Sequence, residues 1–123
     1  MEVKTGDVKA MVNMTKCADG NYYEIKNDAV SDLLEPGSVF KPASLLVALD
    51  DGVVDTTYTV DTGCGVWDMY GAKMKDHNWA RGGYQRISLP KCLEVSSNIG
   101  VSRIIDRFYS KNPEKFVQGL KRV

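Results

Sequence analysis

Pro36-Gly37 is the feature that most constrains what this chain can fold into. A proline donates no backbone N–H and a glycine tolerates conformations closed to other residues, so the pair ends whatever element precedes it. The run Val39–Leu49 follows, apolar along most of its length, and Asp50-Asp51-Gly52 stops it. Leu45, Leu46 and Leu49 stand at i, i+1 and i+4, which predicts a helix buried in a core. The break therefore delivers Ser38 to the first turn of a rigidly supported helix, with Lys41 three positions later. Residues i and i+3 share a helix face, so the Lys41 amine can reach the Ser38 hydroxyl. A serine hydroxyl is a poor nucleophile until a neighbouring base takes its proton. Lysine can be that base only where burial or a positive field lowers its pKa, and the positive end of the helix dipole supplies part of that field.

S-x-x-K alone is a common four-letter pattern. Further on the chain reads Glu94-Val95-Ser96-Ser97-Asn98-Ile99-Gly100, an S-x-N element of the kind that accompanies S-x-x-K in serine acyl-transfer enzymes. The flanks match as well: Thr5–Asn13 is similar to the hairpin that opens the transpeptidase domain of class B penicillin-binding proteins. Glu35–Pro42 is similar to that family's nucleophile segment, and Ile87–Asn98 to its second motif with the preceding helix. The chain thus resembles this family, and within it the division-type enzymes of Gram-negative bacteria.

The resemblance implies an α+β fold of the penicillin-binding protein and serine β-lactamase type. It also implies a D,D-transpeptidase that cross-links peptidoglycan stem peptides and is acylated by β-lactams. On that basis Ser38 is the acylated nucleophile and Lys41 its general base. Ser96 relays a proton toward the leaving amine, and Asn98 holds the substrate amide. A membrane anchor and a pedestal upstream of Met1 are implied too, with the parent on the periplasmic face of the inner membrane in a division or elongation complex. A β-lactam sensor, a serine β-lactamase and a non-catalytic scaffold of the same fold are the competing readings.

The family's third motif, K-[ST]-G, does not occur in Ile99–Val123. Lys4-Thr5-Gly6 precedes Ser38 and reads as ordinary turn chemistry. The expectation is the first part of a transpeptidase domain, with an incomplete cleft, the later sheet strands missing and little activity by itself. Its segments would be an opening hairpin and loop (1–26), the nucleophile helix (27–52), an extended stretch and a long ordered loop (53–86), and a helical segment with S-x-N (87–123). Val8, Ala10, Val12 and Met14 alternate with Lys9, Met11 and Asn13, which predicts a half-buried strand over Val8–Met14. Without partner strands, its open edge would favour self-association.

The remaining residues argue mainly by exclusion. Sixteen basic and sixteen acidic residues cancel, with no basic patch, so nucleic acid is not an expected partner. No cluster has metal-ligand spacing and no cofactor motif is present. Cys17, Cys64 and Cys92 lack C-x-x-C spacing and read as buried or semi-buried thiols. His77, the only histidine, sits in a polar stretch and reads as a surface or structural residue; Trp67 and Trp79 read as packing beneath the long loop. Ser88-Leu89-Pro90 and Asn112-Pro113 are helix starts, a capping side chain with proline just inside. Val101, Ile104, Ile105 and Phe108 form one helical face.

Overall fold

A computed structural model describes residues 1–123. The chain divides into two units, Met1–Glu35 and Pro36–Val123.

The first unit holds no buried residue. Its regular structure is a short antiparallel ladder, β1 (Thr15–Lys16) with β2 (Tyr22–Tyr23), and one helical turn, α1 (Asp28–Ser31). The strand expected over Val8–Met14 is absent: Val8 is 58% exposed and Val12 69%. Alternation specifies which face a strand would bury, but a strand also needs a partner ladder, and no segment pairs with this one through its backbone; the Asn27 side chain reaches it, at Met11 and Asn13. The opening hairpin is instead β1–β2. Lys4-Thr5-Gly6 does form a turn, with the Gly6 N–H donating to Glu2 O and Gly6 at φ +79°.

The second unit contains the whole core. The helix after Pro36-Gly37 begins as a 3-10 turn, Gly37–Phe40, and continues as α2 (Lys41–Asp50). It does not start later to avoid Pro42: Lys41 is already helical, its N–H donating to Ser38 O, and Pro42 falls in the first turn, where no intrahelical N–H is needed. Ser44, Leu45, Val47 and Ala48 are buried, but Leu46 is half-exposed, so the helix buries one side and is not enclosed. Strand β3 (Thr59–Asp61) is shorter than the extended stretch anticipated for Val53–Val60, because Asp55 caps a turn at Thr57. It pairs antiparallel with β6 (Arg86–Ser88), Val60 opposite Ile87.

Three helices complete the unit: α3 (Leu89–Glu94), α4 (Asn98–Tyr109) and α5 (Pro113–Arg122). Their caps are Ser88, Ser97 and Asn112, each accepting from a backbone N–H in the first turn. Leu45, Val47 and Ala48 of α2 meet Leu89 and Cys92 of α3 and Val101, Ile104 and Tyr109 of α4; Ile105, Phe108, Phe116 and Leu120 pack around them. Gly119 lets α5 close on α2, since a Cβ there would lie 2.3 Å from Val47 Cγ1. The same junction is tied by polar groups. The Tyr109 hydroxyl donates to Asp51, and Arg122 pairs with both Asp50 and Asp51. Burial, reinforced by Asp51, pushes the Tyr109 pKa up to about 12.

Thr62–Tyr84, anticipated as one long loop, contains a hairpin: β4 (Val66–Met69) with β5 (Ala72–Lys75), Met69 opposite Ala72. The loop is therefore only Tyr70-Gly71, with φ +53° and +86°. Two positive φ values in a two-residue loop are the type I′ pattern, in which Asn-Gly is usual and tyrosine is not. The hairpin leans on α4, where the Tyr70 hydroxyl donates to Asp106 and the Arg103 guanidinium lies 3.9 Å from the Trp67 ring centre.

Candidate active site

The site lies entirely within Pro36–Val123. Lys41, in the first turn of α2, projects its ammonium onto the turn between α3 and α4. Its Nζ donates to Ser96 O at 2.6 Å, to Ser96 Oγ at 3.0 Å and to Asn98 Oδ1 at 2.6 Å. An ammonium has three N–H donors, and all three are used. Lys41 is half-buried, and its pKa is lowered by desolvation, against which the negative charge of Asp76 acts. Lys41 thus holds two of the other three expected site residues, Ser96 and Asn98, by hydrogen bonds. Ser38, the fourth, is exposed one turn before Lys41, and its hydroxyl has no hydrogen-bond partner. A lysine that gives up one proton keeps two donors and gains a lone pair, so Lys41 becomes a base once one of its three acceptors is released.

The S-x-N turn has a definite cause. Helix α3 ends in a Schellman motif: the Ser96 N–H donates to Leu93 O and the Ser97 N–H to Cys92 O. That motif places one residue in the left-handed region, usually glycine. Here it is Ser96, at φ +50°. A residue with a Cβ loses roughly 1–2 kcal/mol in that conformation. The gain is a hydroxyl aimed at Lys41. Gly100 brings α4 against α3, because a Cβ there would sit 2.6 Å from Cys92 Sγ.

Sequence reading missed two contributors from the hairpin side. Lys75 O, at the end of β5, accepts from Asn98 Nδ2 at 2.8 Å and so fixes which way the amide points. Asp76, 1% exposed, receives the Ser97 hydroxyl at 2.8 Å and the Ile99 N–H at 3.1 Å. Asp-His-Asn in a polar stretch gives no sign of burial; the hairpin ahead of it would have, had Tyr70-Gly71 been legible as a turn.

Other singled-out residues fall outside the cluster. His77 is exposed and pairs with the Tyr84 hydroxyl. Trp79 is half-exposed under the Lys75 ammonium, 4.0 Å from its ring centre. Glu94 pairs with Lys91 on α3. Cys64 is exposed, contrary to expectation; Cys92 is buried, and burial pushes its thiol up to about 11. A cavity of about 820 Å³ opens beside Lys41 and Asn98, walled by Phe40, Met69, Met74 and Ile105 among others. No helix is long and apolar enough to cross a membrane.

Known proteins are similar to this chain in sequence and fold. The family model for the penicillin binding protein transpeptidase domain matches residues 1–123. A probable peptidoglycan D,D-transpeptidase PenA of Neisseria flavescens is 30% identical over 98% of this chain and 30% of its own length. The peptidoglycan D,D-transpeptidase FtsI of Escherichia coli K12 is 33% identical over 85% of this chain and 18% of its own. The apo structure of the transpeptidase domain of Burkholderia pseudomallei penicillin-binding protein 3 superposes with a TM-score of 0.66 at 30% identity, covering 76% of this chain and 26% of that one. The chain thus spans less than a third of each of these proteins. The α+β architecture, the end-to-end match and the order of the two motifs lead to one conclusion: this chain belongs to the penicillin-binding protein transpeptidase domain family.

Proposed function

We propose that the chain supplies the nucleophile and the proton-handling half of a peptidoglycan D,D-transpeptidase, acting by a serine acyl-enzyme. The observation that carries this reading is the Lys41 ammonium held by Ser96 and Asn98 one turn after Ser38. Neutral Lys41 takes the Ser38 proton as Oγ attacks a stem-peptide carbonyl carbon. The Ser38 N–H, in the first turn of the helix, has no intrahelical acceptor and can donate to the developing oxyanion. The amide C–N bond then breaks and an ester to Ser38 forms. The proton passes from Lys41 through Ser96 Oγ to the departing amine. The amine of a second stem peptide attacks the ester, Ser38 regains its proton, and the cross-link is made. Asn98 Nδ2 spends one N–H on Lys75 O and keeps the other for the substrate amide. β-Lactams would acylate Ser38 by the same first step and remain as the ester. We infer a role in division, at the periplasmic face of the membrane, from the similarity to these peptidoglycan D,D-transpeptidases.

Mass spectrometry after penicillin treatment of the transpeptidase tests the assignment. One penicilloyl group is expected on Ser38 and none in Ser38→Ala; an adduct that survives that substitution would overturn it. The 123 residues assayed alone should label far more slowly than the whole domain: K-[ST]-G does not follow S-x-N within them, the family resemblance implies that a second oxyanion donor comes from the strand after that motif, and a missing donor costs ~10²–10³ in rate.

A further inference from the structure

Asp76 is a buried carboxylate with no arginine or lysine hydrogen-bonded to it. Such a group is tolerated only where donors are aimed at it. Both of its donors come from the S-x-N turn: the hydroxyl of Ser97, between the two motif residues, and the N–H of Ile99, the residue after Asn98. Ser97 Oγ in turn accepts from the Gly100 N–H, so the first turn of α4 hangs on the same carboxylate. On its own side Asp76 is fixed through its backbone, its N–H donating to Gly65 O and its carbonyl accepting from Trp79. The preceding residue, Lys75, holds the Asn98 amide. The turn needs such a hold, since Ser96 occupies a conformation that favours glycine and would otherwise relax.

We propose that Asp76 is a positioning residue: its two hydrogen bonds lock the turn that carries Ser96 and Asn98, and so hold both against Lys41. The strand pair β4–β5 delivers that lock, giving the hairpin a part in the site although none of its side chains hydrogen-bonds to Lys41, Ser96 or Asn98. The catalytic consequence rests on the transpeptidase reading; the lock itself does not.

Two measurements separate them. Amide hydrogen exchange on the 123-residue chain reads the lock. Asp76→Ala should speed exchange at Ile99 and Gly100 by at least ~10-fold relative to amides in the middle of α4, as expected when a local opening is released. Stopped-flow acylation of the transpeptidase by fluorescent penicillin reads the consequence. A misplacement near 1 Å costs on the order of 10² in rate, so Asp76→Ala should fall by about that factor after correction for folded fraction. Asp76→Asn should restore both within ~3-fold, because Oδ1 still accepts from Ile99 while Nδ2 donates to Ser97 Oγ. Should Asp76→Ala not fold, Ser97→Ala takes its place and should show the same two losses, smaller. Unchanged exchange and acylation in Asp76→Ala would overturn the proposal. So would Asp76→Asn failing as badly as alanine, since charge rather than hydrogen bonding would then be at work. Absence of acylation in the unaltered protein would sink the transpeptidase reading and leave the exchange result to decide the lock.

Discussion

Lys41 shows how one residue is tuned by opposing influences. Desolvation between α2 and the S-x-N turn lowers its pKa, while the Asp76 charge acts the other way. Only the neutral amine can take a proton from Ser38, so acylation should rise with pH and level off once Lys41 is deprotonated. The midpoint is expected below the range of an ordinary lysine. Removing the Asp76 charge in Asp76→Asn removes the influence that raises the pKa, so the midpoint should move further toward acid. Lys41→Arg should abolish acylation at every pH, because arginine stays protonated. The pH profile of penicillin acylation checks all three; a midpoint that moves toward alkali in Asp76→Asn would refute the electrostatic account. The S-x-x-K spacing was enough to set Ser38 and Lys41 one turn apart at the start of the helix. That Lys41 turns its hydrogen bonds toward Ser96 and Asn98 was not legible, because those acceptors arrive from a turn more than fifty positions away.

At the scale of elements, the α3 C-terminus is where stability and function diverge. Ser96 stands where a Schellman motif favours glycine. Ser96→Gly should therefore stabilise the fold, by about 1 kcal/mol at most once the looser unfolded chain is counted. The same change removes the hydroxyl beside Lys41 and should slow acylation by at least ~10²-fold, the usual range for a lost proton-transfer group. Thermal melts and penicillin labelling on one preparation would show the two effects with opposite sign; a less stable Ser96→Gly would refute the strain. Helix starts were readable because capping and proline placement are local, and Ser88, Asn112 and their prolines lie where expected. The β4–β5 hairpin was not, because its type I′ turn is made by tyrosine rather than asparagine. Strand Val8–Met14 failed for the opposite reason: its local pattern was clear and its partner was missing.

For the whole molecule, the two units differ in kind. Pro36–Val123 carries every buried side chain, and Met1–Glu35 exposes Val8, Val12, Met14, Ile25, Leu33 and Leu34. Apolar groups on an unpaired backbone recruit other chains. The 123-residue chain should therefore associate as its concentration rises, and a chain reduced to residues 36–123 should not. Light scattering across a dilution series tests this, and a monomer at all concentrations would overturn it. What the sequence determined by itself was whatever depends on neighbours along the chain: the break at Pro36-Gly37, the Ser38-to-Lys41 spacing, the S-x-N element and the helix caps. Each follows from dihedral preference and hydrogen bonding within a turn or two. What only the tertiary structure decided was which distant groups face each other: Lys41 on Ser96 and Asn98, Asp76 beneath the turn, Gly119 against Val47. Those contacts depend on how α2, α4 and the hairpin pack, and packing is set by the fit of many side chains at once, which no local pattern encodes.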